Sequence, residues 1–210
     1  MINGQSILCF APDPWDDIWR NRHQIMSLLA EENRVLYVEP RSYLRPMLRA
    51  LSTGRLLEDL SRPRIREIPL RAEKAQSPPP VGAGGSGVGL YVFHPPPYAP
   101  LSGRRPLSMA FDRLRAASLR RAMRKLRIKQ PILWLFRPEM ADVPGRYRER
   151  LLIYHMVDEY TGYSGLGARR DDYARTERRL ISKADLVLVT SQTLLETKGA
   201  LNPNTHWVPN

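Results

Sequence analysis

Short apolar runs rich in β-formers recur along this chain, and they alternate with segments whose apolar residues return every three or four positions. The first pattern predicts strands at 6–11, 34–39, 64–69, 88–94, 131–136, 151–156, 185–190 and 205–208. Alternation of such runs with helices predicts a mostly parallel α/β sheet covered on both faces, Rossmann-like and doubly wound, in a single domain over 1–210. Between the first two strands Ile18, Arg22, Ile25, Met26 and Leu29 fall at helical spacing, and Asp16 and Asp17 suit the positive end of that helix. Further on, 171–183 reads as a helix. A second helix over 191–198 is capped by Ser191 and closed by Gly199.

Two stretches interrupt the pattern. Residues 77–100 hold seven of the 19 prolines and five of the 13 glycines, which predicts a flexible excursion around one strand. Gly82, Gly84 and Gly87 match G-x-G-x-x-G by spacing, but they follow prolines and lead into a strand, where a dinucleotide fingerprint follows a strand and opens a helix. A plain loop is the better reading.

The other interruption is electrostatic. Residues 104–129 carry ten Lys or Arg and one acid, Asp112, so most of the net charge of +12 sits in one segment. Leu107, Phe111, Leu114, Ala122 and Leu126 give it an apolar side, and the segment predicts a basic amphipathic helix. Arg120, Arg121, Arg124 and Lys125 on such a helix suit an anionic membrane surface; a solvated helix covering the sheet fits the same pattern. A weaker basic run, 41–71, has eight Arg against three acids.

A sequence pI near 10.3 calls for an anionic partner: nucleic acid, membrane or substrate phosphate. The single cysteine, Cys9, excludes an intramolecular disulfide and fits a reducing cytoplasm. No apolar run is long enough for a transmembrane helix or a secretory signal.

Ligands of doubly wound sheets sit beyond the carboxyl ends of the strands, so the residues leaving each strand are the candidates for chemistry. After the first come Asp13, Asp16, Asp17 and then Arg22, whose guanidinium fork suits a phosphate or sugar hydroxyls. After Phe136 come Arg137, Pro138 and Glu139, a substrate contact or a plain surface ion pair. The richest exit is Tyr154-His155-Met156-Val157-Asp158-Glu159-Tyr160. It offers a carboxylate for orienting or deprotonating a hydroxyl, or for capping the next turn, and aromatic faces for a sugar. His155 and Asp158 are too few for a closed metal site, and no metal is expected. There is no G-x-S-x-G elbow, P-loop or zinc-finger spacing.

The run 152–160, followed by Glu177 and Leu180, then Ala184-Asp185-Leu186-Val187-Leu188-Val189-Thr190-Ser191 with Leu194, and last Val208-Pro209-Asn210, resembles the N-terminal half of group 1 glycosyltransferases of GT-B architecture. Three places depart from that pattern. Ala11, Pro12 and Pro14 stand where glycines are frequent; Phe136, Arg137 and Pro138 stand where many members place a histidine before the proline; His155 replaces the first acid of the strand-exit motif. Asp158 is then the matching carboxylate, and no catalytic histidine is implied at the Phe136 exit.

The resemblance implies an acceptor-side domain of a cytoplasmic, membrane-peripheral enzyme of cell-surface polysaccharide biosynthesis. It would move a sugar from a nucleotide-sugar donor, used as substrate with no further cofactor, to a polysaccharide or lipid-linked acceptor. Asp158 would be catalytic, and Arg22, Arg137, His155, Glu159 and Tyr160 would bind the acceptor. A C-terminal nucleotide-sugar domain is expected beyond this chain, which alone would be inactive. The rival readings are a basic nucleic-acid-binding α/β module and a non-catalytic partner domain; nucleic acid is the less expected partner.

Overall fold

A computed structural model describes residues 2–40, 64–70, 88–97, 105–159 and 170–209. The chain folds as β1 (Ser6–Phe10), α1 (Asn21–Ala30), β2 (Arg34–Val38), β3 (Ile65–Ile68), β4 (Gly89–Phe93), α2 (Arg105–Lys125), β5 (Ile132–Leu135), a 3-10 turn (Pro138–Met140), β6 (Leu151–Met156), α3 (Arg170–Lys183), β7 (Leu186–Val189), α4 (Gln192–Lys198), a second 3-10 turn (Gly199–Leu201) and β8 (Thr205–Trp207). Each predicted strand is present, within one or two residues at either end. It is an α/β fold of Rossmann-like, mostly parallel organisation.

The chain divides into two compact units, 1–6 with 13–129 and 7–12 with 130–210. In the first, β2 and β4 pair in parallel, Val35 opposite Leu90 and Val38 opposite Phe93, while β3 runs antiparallel on the outer side of β4, Ile65 opposite Phe93. In the second, β1, β5, β6, β7 and β8 follow one another, all parallel. Ile7, Leu8, Cys9, Leu133, Ile153, Tyr154 and Val187 are sealed from solvent, which is what uninterrupted apolar strands require when both faces are covered.

The helices depart from the predicted stripes in instructive ways. α1 begins only at Asn21, so Ile18 lies outside it and is 69% exposed; the buried positions are His23, Met26 and Ala30. Its first turn holds no acid, since Asp16 and Asp17 precede it, and Asp16 pairs with Arg66, with oxygens 2.7 and 2.8 Å from Nη2. His23 takes over the N-terminus, accepting the Arg20 N–H at Nδ1 over 3.0 Å.

In α2 the inward residues are Arg115, Ala116, Leu119, Ala122 and Met123, while Leu114 is 48% exposed. The buried stripe is rotated from the one the apolar residues alone suggest, the two sharing Ala122. α2 ends in a left-handed turn at Arg127, φ 54°, with Arg127 N–H bonded to Arg124 O and Ile128 N–H to Met123 O. This is a Schellman closure, its buried Ile128 following the turn, built without the usual glycine.

α3 carries Asp171 and Asp172 in its first turn and Lys183 in its last, matching the helix dipole, and buries Glu177, Leu180 and Ile181. Ser191 Oγ caps α4 by accepting Leu194 N–H at 3.2 Å, and Gly199 follows as its C-cap, in ordinary right-handed conformation. The excursion at 77–100, the Gly82–Gly87 spacing and most of the 41–71 basic run lie outside the described residues, apart from β3, β4 and their flanks.

Candidate functional site

β6 delivers the strand exit singled out above. Its register against β7, Met156 opposite Val189, places Val157, Asp158 and Glu159 just beyond the carboxyl end, and Thr190 Oγ1 donates to Val157 O at 3.0 Å to hold the exit against the end of β7. At the other end of the same strand Asp185 Oδ2 accepts Leu152 N–H at 2.7 Å. The alanine-aspartate pair before β7 thus sets the register that aims the exit.

Asp158 is exposed, and its Oδ1 accepts Glu159 N–H at 2.9 Å. The carboxylate is therefore oriented by its own turn while still facing water. Glu159 is held from below. Lys198, at the end of α4, places Nζ 3.1 Å from Glu159 Oε2 and 2.8 Å from Glu177 Oε2, and Tyr154 Oη donates toward the other oxygen of Glu177 at 3.5 Å.

Glu177 is 1% exposed. Burial raises its pKa, although hydrogen bonding and attraction from Lys198 pull the other way; the Lys198 pKa is also raised, its two carboxylate partners outweighing burial. Burial thus raises the pKa of Glu177, a residue of α3, beneath the exit and not on it. A four-group network from β6, α3 and α4 underlies the strand exit.

The other expected site residues fall as follows. His155 is 1% exposed, its ring 5.1 Å from that of Phe136 and 5.9 Å from that of Trp134. Arg137 sits at the β5 exit with Nη1 4.0 Å from Glu139 Oε1, both partly exposed, as a surface pair would be; Tyr173 donates to the other oxygen of Glu139. Tyr160 lies outside the described residues.

Arg22 belongs to the first unit. Its fork is turned on the chain's own Asp13, at 2.7 Å, so that carboxylate occupies the place an anionic ligand would take. Arg120, Arg121, Arg124 and Lys125 are exposed on α2.

Two groupings in the first unit were not anticipated. In one, His23 stacks on Trp19 (5.2 Å) and on Tyr37 (5.8 Å), with Trp15 edge-on to all three. Because His23 Nδ1 accepts from Arg20, Nε2 carries the proton and faces Pro14 O and Tyr37 Oη. Burial, joined by the neighbouring Arg22 cation, lowers the His23 pKa and keeps the ring neutral.

The second grouping is His94 with Glu39, at the exits of β4 and β2, Nδ1 to Oε2 2.6 Å. Both residues fell inside predicted strands. The available signal was a charged or titratable residue closing each run, directly after residues 35–38 in one and 90–93 in the other.

Among the described residues no group of His, Cys, Asp and Glu is arranged to hold a metal ion, and no helix is long and apolar enough to cross a membrane.

With this geometry in view, the likeness to solved structures is informative. A sucrose-phosphate synthase from Thermosynechococcus elongatus superposes with a TM-score of 0.59 over 98% of this chain, at 14% identity. Over this length the fold is that of the synthase. A second solved chain of that synthase gives a TM-score of 0.53 at 13% identity, with 98% of this chain and 89% of that one covered. The present chain spans about half, 48%, of the first of these structures. No protein-family model matches the chain, and no curated protein matches it in sequence.

Proposed function

We propose that this chain is the acceptor-side, N-terminal domain of a group 1 glycosyltransferase of GT-B architecture. The enzyme transfers a sugar from a nucleotide-sugar donor to a polysaccharide or lipid-linked acceptor of the cell surface. The observation that carries this reading is the Asp158 exit: an exposed carboxylate, oriented by Glu159 N–H, at the carboxyl end of a β-strand within a glycosyltransferase-like fold. Asp158 orients the acceptor hydroxyl, and the Lys198–Glu159–Glu177 network keeps the turn that carries it in place. The nucleotide of the donor is held chiefly by a second domain, in keeping with the half-length match.

Calorimetry of the 210-residue chain with a panel of nucleotide sugars tests the division of labour. Binding no tighter than millimolar is expected. A micromolar dissociation constant would place the donor site in this chain and overturn the reading.

Exposed Arg120, Arg121, Arg124 and Lys125 support work at the cytoplasmic face of an anionic membrane. The same basic face fits a nucleic-acid-binding module, and competition between anionic vesicles and oligonucleotides at equal ionic strength separates the two.

A further inference from the structure

The aromatic stack of the first unit ends in a tryptophan that the Asp158 reading leaves unused. Trp19 is 54% exposed, on the loop that leads into α1, yet its ring is held in place. One face lies against His23, with centroids 5.2 Å apart and planes within 23°, and His23 lies in turn against Tyr37 of β2. Trp15 stands across the flank of this pile, 5.5, 5.1 and 5.0 Å from Trp19, His23 and Tyr37. The pile is itself pinned: His23 Nδ1 accepts Arg20 N–H at 3.0 Å, Tyr37 Oη donates to Asp13 O at 2.9 Å, and Trp15 N–H donates to Glu39 Oε1 at 3.0 Å. With one face and one flank of Trp19 taken, its exposure belongs to the opposite face.

A rigid aromatic face loses little conformational freedom when a ligand lies on it. Charge says which ligand. On the loop and against it stand three carboxylates, Asp13, Asp16 and Asp17, and three guanidiniums, Arg20, Arg22 and Arg66. Arg22 and Arg20 face Asp13 at 2.7 and 3.7 Å, and Arg66 holds Asp16 at 2.7 Å. In a chain of net charge +12 this patch balances to zero. It offers no surplus cation to a phosphate-bearing ligand, and its carboxylates resist entry into an anionic bilayer. Asp17 is exposed and the Arg20 side chain is 52% exposed, so an acceptor and a donor flank Trp19 along the loop. A hexopyranose matches both features. One side of its ring presents C–H bonds, electropositive against the negative π-face of an indole, and its belt of hydroxyls suits a carboxylate and a guanidinium.

We propose that the outer face of Trp19 is a carbohydrate platform, on which an uncharged hexopyranose unit of a glycan stacks while Asp17 and Arg20 hydrogen-bond its hydroxyls. It is a binding site, with no covalent bond made or broken there. That a glycan binds rests on the stack and its charge-balanced rim; that this glycan is the sugar acceptor rests on the glycosyl-transfer reading.

The test follows the indole N–H resonances of the folded 210-residue chain, isotope-labelled on nitrogen, as cellohexaose, maltohexaose and mannohexaose are added in turn. Trp19→Phe and Trp207→Phe assign the two exposed tryptophans, and Trp207, 49% exposed, is the matched control. At least one hexasaccharide is expected to shift Trp19 saturably and leave Trp207 in place. Trp19→Ala is expected to weaken that binding by about tenfold, the scale of a lost aromatic contact, read from the backbone amides of residues 16–20. No Trp19 shift with any hexasaccharide, or equal shifts at Trp19 and Trp207, overturns the platform. So does a Trp19 response to phosphatidylglycerol vesicles or to uridine monophosphate that the sugars do not give. Neither donor nor turnover enters the experiment, so a failed glycosyl-transfer reading leaves the Trp19 shift standing, whereas a failed platform abolishes it.

Discussion

Lys198 Nζ lies 2.8 Å from Glu177 Oε2, joining the last turn of α4 to the buried side of α3 directly under the strand exit that carries Asp158. A buried pair of this kind adds little net stability while intact, but breaking it leaves an uncompensated charge. Its geometric product is a fixed Glu159, whose side chain shares the same ammonium.

Replacing Lys198 by Met is expected to destabilise the protein by about 3–5 kcal/mol near neutral pH. Glu177, with its raised pKa, contributes most below the ordinary carboxylate range, and that contribution is lost as pH rises through the raised value. The defect of Lys198→Met should therefore shrink toward about pH 4, where a proton replaces the missing ammonium. Urea unfolding at the two pH values measures both effects; an equal loss at each would refute the linkage.

His23 gives the opposite window. Its pKa lies below 6.5, so the neutral ring contributes fully above that value, and the contribution is lost as pH falls through the lowered one. A second proton would have to sit on Nδ1, where Arg20 N–H already points. His23→Gln should flatten the decline in stability between about pH 7 and pH 5, seen as a smaller change in urea midpoint.

Arg127 is in the left-handed region at the end of α2, where a side chain costs about 1–2 kcal/mol. Arg127→Gly should raise stability by up to about 1 kcal/mol, the gain being reduced by glycine's freedom in the unfolded chain. A lower melting temperature in the variant would show that the arginine side chain supplies a compensating contact.

Changing Arg120, Arg121, Arg124 and Lys125 together to Gln should weaken binding to anionic vesicles by about 1 kcal/mol per charge. The fold should persist, because Ala116, Leu119, Ala122 and Met123 on the inward side are untouched. Vesicle co-sedimentation together with circular dichroism checks both; unchanged sedimentation would leave α2 with a structural role alone.

If the proposed glycosyl transfer holds and the chain works together with a donor-binding domain, Asp158→Asn should lower kcat by roughly a hundredfold with little change in Tm, the scale of a positioned acidic group. A loss of several degrees with turnover retained would mean that Asp158 serves only its turn, through the Glu159 N–H contact.

Strands such as β1, β5 and β6 were legible in the sequence because burial on both faces demands continuous apolar runs, and such runs survive reading one residue at a time. The exit after β6 was legible because the charged pair Asp158 and Glu159 follows within three residues of the strand's end at Met156. Ser191 and Gly199 could be placed because a cap is a local bargain between neighbours.

The stripe of α2 was not legible. Which side of a helix faces inward depends on what it packs against, and here Ala122 of the expected stripe is buried together with Arg115 and Ala116, while Leu114 is left in water. Nor was the partnership of Glu177, Lys198 and Glu159, or of His94 and Glu39. Each joins residues many positions apart whose meeting depends on helix packing or strand register, so local pattern carries no trace of it. The chain's apolar rhythm determined the sheet and where chemistry could emerge; only the packing of one element on another decided which charges meet, because a charge chooses its partner by distance in space.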